Sequence, residues 1–133
     1  MNAELYIAKH EFIRADLNQI EAAAAAGIDG TSAETIAGTI NRLTAVLKMH
    51  LASEDTYLYP SLLNSGDEKI RRITERYMSE MGNLSQSYTA FHEAWNTASK
   101  ILADRSGFIE QFRAVRSALV TRMDREEQEL YLF

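Results

Sequence analysis

The chain has 133 residues, 46% of them hydrophobic and 25% charged, with a formal net charge of −5; these values suit one soluble globular domain with a substantial core. There is no cysteine, which excludes disulfides, thiolate zinc sites, iron–sulfur clusters and cysteine nucleophiles. The acidic balance, with no basic block or basic helix face, argues against nucleic acid and anionic membranes as partners.

The first predicted helix covers 3–26. Its opening, MNAELYIAKHEF, places Glu4, Lys9, His10 and Glu11 where an export signal needs an unbroken apolar run. No export by that route, and a cytoplasmic setting, are therefore expected. The helix carries one seam at steps of three and four: Tyr6, His10, Ile13, Leu17 and Ile20. The alanines 22–26 express helix propensity and are far too few to span a membrane. GIDGTSAE (27–34) breaks the pattern and sets Thr31 and Glu34 in capping-box spacing. The second helix, 32–63, gives Ile36, Ile40, Leu43, Leu47, His50, Glu54 and Tyr57. NSGDE (64–68) is a turn with Asp67 as the N-cap. The third helix, 67–103, gives Ile70, Thr74, Tyr77, Met81, Leu84, Tyr88, Phe91, Trp95, Ala98 and Leu102. DRSG (104–107) is the last break, and the fourth helix, 106–131, gives Phe108, Phe112, Val115, Leu119, Arg122 and Glu126. Four amphipathic helices with short connections predict an all-α fold, an up-down-up-down antiparallel four-helix bundle, as a single domain over 1–133.

Five polar groups interrupt these seams: His10, His50, Glu54, Arg122 and Glu126. Burying them costs several kcal/mol each unless they are paired or hold a metal. Antiparallel neighbours put them at one level, at one end of the bundle, with Tyr77 and Met81 facing them from the third helix. HLASEDTYLY (50–59) is echoed by RMDREEQELY (122–131), so Glu54 matches Glu126, Leu58 matches Leu130, Tyr59 matches Tyr131, and Arg122 stands in place of His50. Histidine nitrogens and carboxylate oxygens projecting inward from different helices are how bundles hold iron, manganese or zinc. His50 and Glu54, one turn apart, can reach one ion.

At AKHEFIRADL, HLASEDTYLYP, ERYMSEMGNL and REEQELYLF, which run from the first helix to the last, the chain resembles the hemerythrin-like, or HHE cation-binding, family. The resemblance implies a non-haem di-iron site in a four-helix bundle. It implies His10, His50, Glu54 and Glu126 as metal ligands. It also places Tyr77 and Met81 at a histidine pair of the third helix, and Arg122 at a histidine of the fourth. Those three positions depart from the pattern, and with three histidines in the chain the full histidine-rich set cannot be built. Tyr77, as a phenolate, and Glu80, swinging inward, are further candidates to line the site with Met81 and Arg122.

Two readings follow. In one, the protein binds one or two irons and senses or binds iron, oxygen or nitric oxide rather than transporting oxygen, with a small diatomic ligand as its partner. In the other, no metal is bound: Arg122 pairs with Glu54 or Glu126 bidentately, and the bundle is a regulatory module for a protein partner. An enzyme using an iron centre ranks third, because no residue names a substrate. Tyr88, Phe91 and Trp95 read as core, His92 as a flank residue, and Tyr59, Pro60, Tyr131 and Phe133 as the closure of the bundle end.

Overall fold

A computed structural model describes residues 3–133. Helix α1 spans Ala3–Ala25 and buries His10, Ile13, Leu17, Ile20 and Ala24 on the face expected, together with Asp16, whose carboxylate accepts from Arg42 at 2.7 Å. Helix α2 spans Gly30–Ser53. Its cap differs from the expected Thr31–Glu34 box. The Asp29 carboxylate accepts from the Ser32 amide at 2.8 Å, and the Asp29 amide donates to Ser32 Oγ at 2.8 Å. Thr31 is already inside the helix, where its carbonyl accepts from Thr35 Oγ1. A carboxylate satisfies the orphan amides before Thr31 can, so the helix starts earlier.

After Ser53 the helix continues through a π-helical turn, Glu54–Leu58, into a short α3, Tyr59–Leu63. Asp67 caps α4, Glu68–Trp95, as expected, accepting from the Lys69 and Ile70 amides. The expected continuous helix to 103 breaks at Asn96 and Thr97. Thr97 is extended, and its Oγ1 caps the separate α5, Ala98–Ala103. Short polar side chains that bond the backbone compete with helix interiors and win as caps. Asp104 caps α6, Arg105–Arg125, which ends in a second π-helical turn, Glu126–Leu130.

Helix α1 packs on α2 and α6, α2 also on α4 and α5, and α4 on α6. The larger core joins Ile13, Leu17, Ile36, Ile40 and Leu43 to Phe91, Trp95, Phe108 and Phe112, whose rings lie within 5.6–6.2 Å of their neighbours. A smaller cluster holds Leu58, Tyr59, Leu62, Ile73, Tyr77, Leu130 and Tyr131. The polar seam residues fall between the two along α1, α2 and α6, so the layer expected at one end of the bundle is closed off by a second apolar cluster beyond it. No helix among the described residues is long and apolar enough to cross a membrane.

Candidate metal centre

The two π turns decide what faces the polar layer. In a regular helix Tyr57, three residues after Glu54, would stay on the seam, as the sequence pattern predicts. The π turn adds one residue to the turn, so Tyr57 is 70% exposed while Leu58 and Tyr59 are buried. The same step after Glu126 buries Leu130 and Tyr131. In each turn a carboxylate and a phenol five residues apart come together: Tyr59 donates to Glu54 Oε2 at 2.8 Å, and the Tyr131 hydroxyl lies 2.9 Å from Glu126 Oε2.

His10 comes from α1, His50 from α2, and Glu54 and Glu126 from the first residues of the two π turns. All four are buried, and one ligand atom from each lies within 4.8 Å of all the others. The structure thus brings these four sequence candidates together. His50 Nε2 is 2.7 Å from Glu54 Oε1 and 3.0 Å from His10 Nε2. The Tyr131 hydroxyl lies 2.7 Å from Glu54 Oε1 and 3.1 Å from His10 Nε2. Behind His10, Glu127 stands 3.6 Å from Nδ1 and is itself held by Arg14. At that distance no hydrogen bond forms, and His10 Nδ1 is buried without a partner.

The charges of the layer are strained by burial. Burial, then the neighbouring His50, pushes the His10 pKa down to about 4. Burial works against the charge on Glu54 as well, but the hydrogen bonds it accepts, first from His50, outweigh burial and hold its pKa low. Glu126 goes the other way: burial, then the Glu54 charge, lifts it well above the ordinary carboxylate range. Tyr131 is pushed upward by burial and by both carboxylates.

These residues fit a cation. Two ring nitrogens from different helices face each other at 3.0 Å, and two carboxyls share one phenol. That phenol has one proton for two carboxyl oxygens, with the His10 ring nitrogen also in reach. Lone pairs outnumber protons, and a positive ion would satisfy the excess. The donor set, imidazole and carboxylate without thiolate, suits iron, manganese or zinc.

The remaining candidates sit around this centre. Arg122 is buried, with its guanidinium 4.3 Å over the Tyr77 ring. It donates to the Tyr77 carbonyl at 2.8 Å, to Tyr59 Oη at 3.2 Å and to Glu80 at 3.4 Å. Its Nε stands 3.4 Å from Glu126 Oε1 without a hydrogen bond. The structure has no bidentate pair to Glu54 or Glu126. Tyr77 turns its hydroxyl away from the donors, to Glu129 Oε2 at 2.8 Å and the Arg125 carbonyl at 3.2 Å. Glu80 is taken up by Arg125 and Arg122. Met81 borders a cavity of about 80 Å³ that His50, Leu84, Tyr88, Arg122 and Glu126 also line. His92 is on the flank, bonded to Asn41.

Sequence reasoning missed Tyr131, Glu127 and Arg14 at the site and read Tyr59 as bundle closure. The repeated Glu–Tyr spacing of five was the available signal. In an α-helix that spacing lies off the face, and only a π turn brings the pair into register.

An all-helical protein with a buried histidine–carboxylate layer is the class this fold and site define. Residues 1–132 match the hemerythrin HHE cation-binding domain, and the chain belongs to that family. No curated protein and no solved structure gave a match.

Proposed function

We propose that the protein binds non-haem iron, one or two ions, through His10, His50, Glu54 and Glu126, and acts in sensing or binding iron, oxygen or nitric oxide rather than in oxygen transport. The reading takes the helices as an up-down-up-down antiparallel four-helix bundle, a single domain over 1–133, working in the cytoplasm. The observation that carries it is the convergence of four buried ligand atoms within 4.8 Å, with more lone pairs than protons among them. Membership of a cation-binding family supports the same conclusion. Helix α4 adds no donor to this group, so the histidine-rich set that supports reversible oxygen carriage is absent. Iron held here would supply a redox-active centre with room for a small ligand. The adjoining cavity of about 80 Å³ is large enough for a diatomic molecule.

The chain's own residues divide the work. His50 and Glu54 hold one face, Glu127 sets a negative charge behind His10, and Arg122 stands beside Glu126 as a fixed positive charge. Elemental analysis of protein purified without an affinity tag, then after anaerobic ferrous iron addition, tests the reading. One or two irons per chain are expected, and the folded His50→Ala/Glu54→Ala variant should retain less than a tenth. Equal iron in variant and parent would overturn it.

A second reading, a metal-free regulatory bundle for a protein partner, is favoured by one observation: the Arg122 guanidinium already lies 3.4 Å from Glu126. On this reading iron is taken up by neither the parent nor an Arg122→Leu variant.

A further inference from the structure

The two Glu–Tyr turns are built alike but end differently. In the first, Tyr59 has one acceptor and one donor: it donates to Glu54 Oε2 at 2.8 Å and accepts from Arg122 Nη2 at 3.2 Å. A phenol needs no more, and the guanidinium beside it occupies the space where a cation would approach. In the second, no guanidinium bonds to Tyr131. Its oxygen lies 2.7 Å from Glu54 Oε1, 2.9 Å from Glu126 Oε2 and 3.1 Å from His10 Nε2. These are three of the four residues of the proposed centre, and they come from three different helical segments. Tyr131 is buried, and its ring lies 5.4 Å from both the His10 and Tyr6 rings, so the side chain is held in place. Its oxygen therefore sits inside the donor set rather than behind it.

We propose that Tyr131 is itself a metal ligand, a phenolate donor completing the set of His10, His50, Glu54 and Glu126. The inference rests on the iron-binding reading above and extends it. A phenol placed to orient a ligand would touch one carboxylate from outside. Tyr131 instead stands between two carboxylates and an imidazole nitrogen, which is where an ion reached by all three would also meet its oxygen. Ligation breaks the phenolic O–H bond, the proton leaves to bulk water, and the oxygen keeps the electron pair it gives to the metal. No oxidant or reductant is involved. Phenolate is a hard anionic donor that favours the ferric state, so the centre holds oxidised iron more firmly than two histidines and two carboxylates alone. Tyr59, tied to Arg122, stays a phenol and does not ligate. Tyr77, whose hydroxyl is spent on Glu129 and Arg125, does not ligate either.

The test loads full-length protein with ferrous iron without oxygen, then exposes it to air, and records metal content, visible absorption and resonance Raman spectra. A phenolate-to-ferric charge-transfer band is expected, with tyrosinate ring modes enhanced on excitation into it. Tyr131→Phe should keep the fold and at least half the iron while losing the band. Tyr59→Phe should keep both iron and band. Iron bound with no such band, or a band that survives Tyr131→Phe, overturns the assignment and leaves the metal site standing. A parent protein that takes up no iron overturns both. If Tyr131→Phe loses iron as well as the band, its iron-free circular dichroism and melting curve decide. A folded variant that cannot bind supports ligation, and an unfolded one is replaced by Tyr131→His. That imidazole should restore iron without the phenolate band, and failure to restore it counts against the ligand role.

Discussion

Two regions of the molecule solve the same burial problem by different physics. Around Phe91, Trp95, Phe108 and Phe112 the interior is aromatic and aliphatic, and its polar atoms find partners: Trp95 Nε1 donates to Gln111 at 2.9 Å, and the Tyr88 hydroxyl pairs with Thr44 at 2.9 Å. Around His10, His50, Glu54, Arg122 and Glu126 the interior is charged, and buried side-chain nitrogens on His10, His50 and Arg122 lack hydrogen-bond partners. The apolar region is stable because it excludes water, which holds at any pH and with or without an ion. The polar layer is costly to bury unless its charges are compensated. Stability resides in the apolar region, and the cost of buried charge in the polar layer.

The sharpest way to break this contrast is in the apolar region. Phe112→Ala should cost about 3–5 kcal/mol of unfolding free energy, through lost transfer energy and the cavity left behind. Denaturant unfolding should give the same loss with iron present or absent, and a loss that depends on iron would mean the two regions are not separate.

Arg122→Leu comes next. In the iron-free protein it strips the nearest positive charge from Glu126 and a donor from Tyr59, and should cost about 3 kcal/mol at neutral pH. Adding Glu126→Gln should recover part of the loss, because only one of the two crowded carboxyls then remains without its cation, and a double-mutant cycle in urea reads the coupling. Strict additivity would show that Arg122 acts by packing on Tyr77 rather than by charge.

The smallest effect concerns pH. His10, held near 4 in the fold against 6.5 in a model peptide, takes up its proton more readily in the unfolded chain. The stability it lends is whole above about pH 6.5 and is lost as the pH falls toward 4. For the iron-free protein this slope amounts to no more than about 3 kcal/mol across the window, reduced by opposing shifts at its neighbours. His10→Gln should flatten the curve over that interval relative to the parent, while Phe112→Ala leaves the slope unchanged. Parallel curves for His10→Gln and parent would remove the protonation account of the polar layer.

The difference between the regions also marks how far the residues could be read without a structure. In the aromatic region, periodic spacing named Tyr88, Phe91, Trp95, Phe108 and Phe112, and each is buried. In the polar layer the same spacing named His10, His50, Glu54, Arg122 and Glu126, which are buried too, and the structure brings the two histidines and two glutamates together. The pattern went astray where the helix changes its own period. It put Tyr57 inside, where it is exposed, and though Tyr59 and Tyr131 do help close the bundle in the smaller cluster, it did not see their hydroxyls reach Glu54 and Glu126.

Helical periodicity, helix-breaking turns and polar residues on apolar seams are properties of neighbours in the chain. They were enough to give the helix class, the approximate segments and four members of the candidate site. Which atoms meet was settled only in three dimensions. The two π turns have no composition of their own, and the direction taken by a long flexible side chain such as Arg122 depends on partners far away in sequence. So it was the tertiary structure that turned Tyr77 outward to Glu129, tied Glu80 to Arg125, set Glu127 behind His10, and brought the Tyr131 hydroxyl into the middle of the donors.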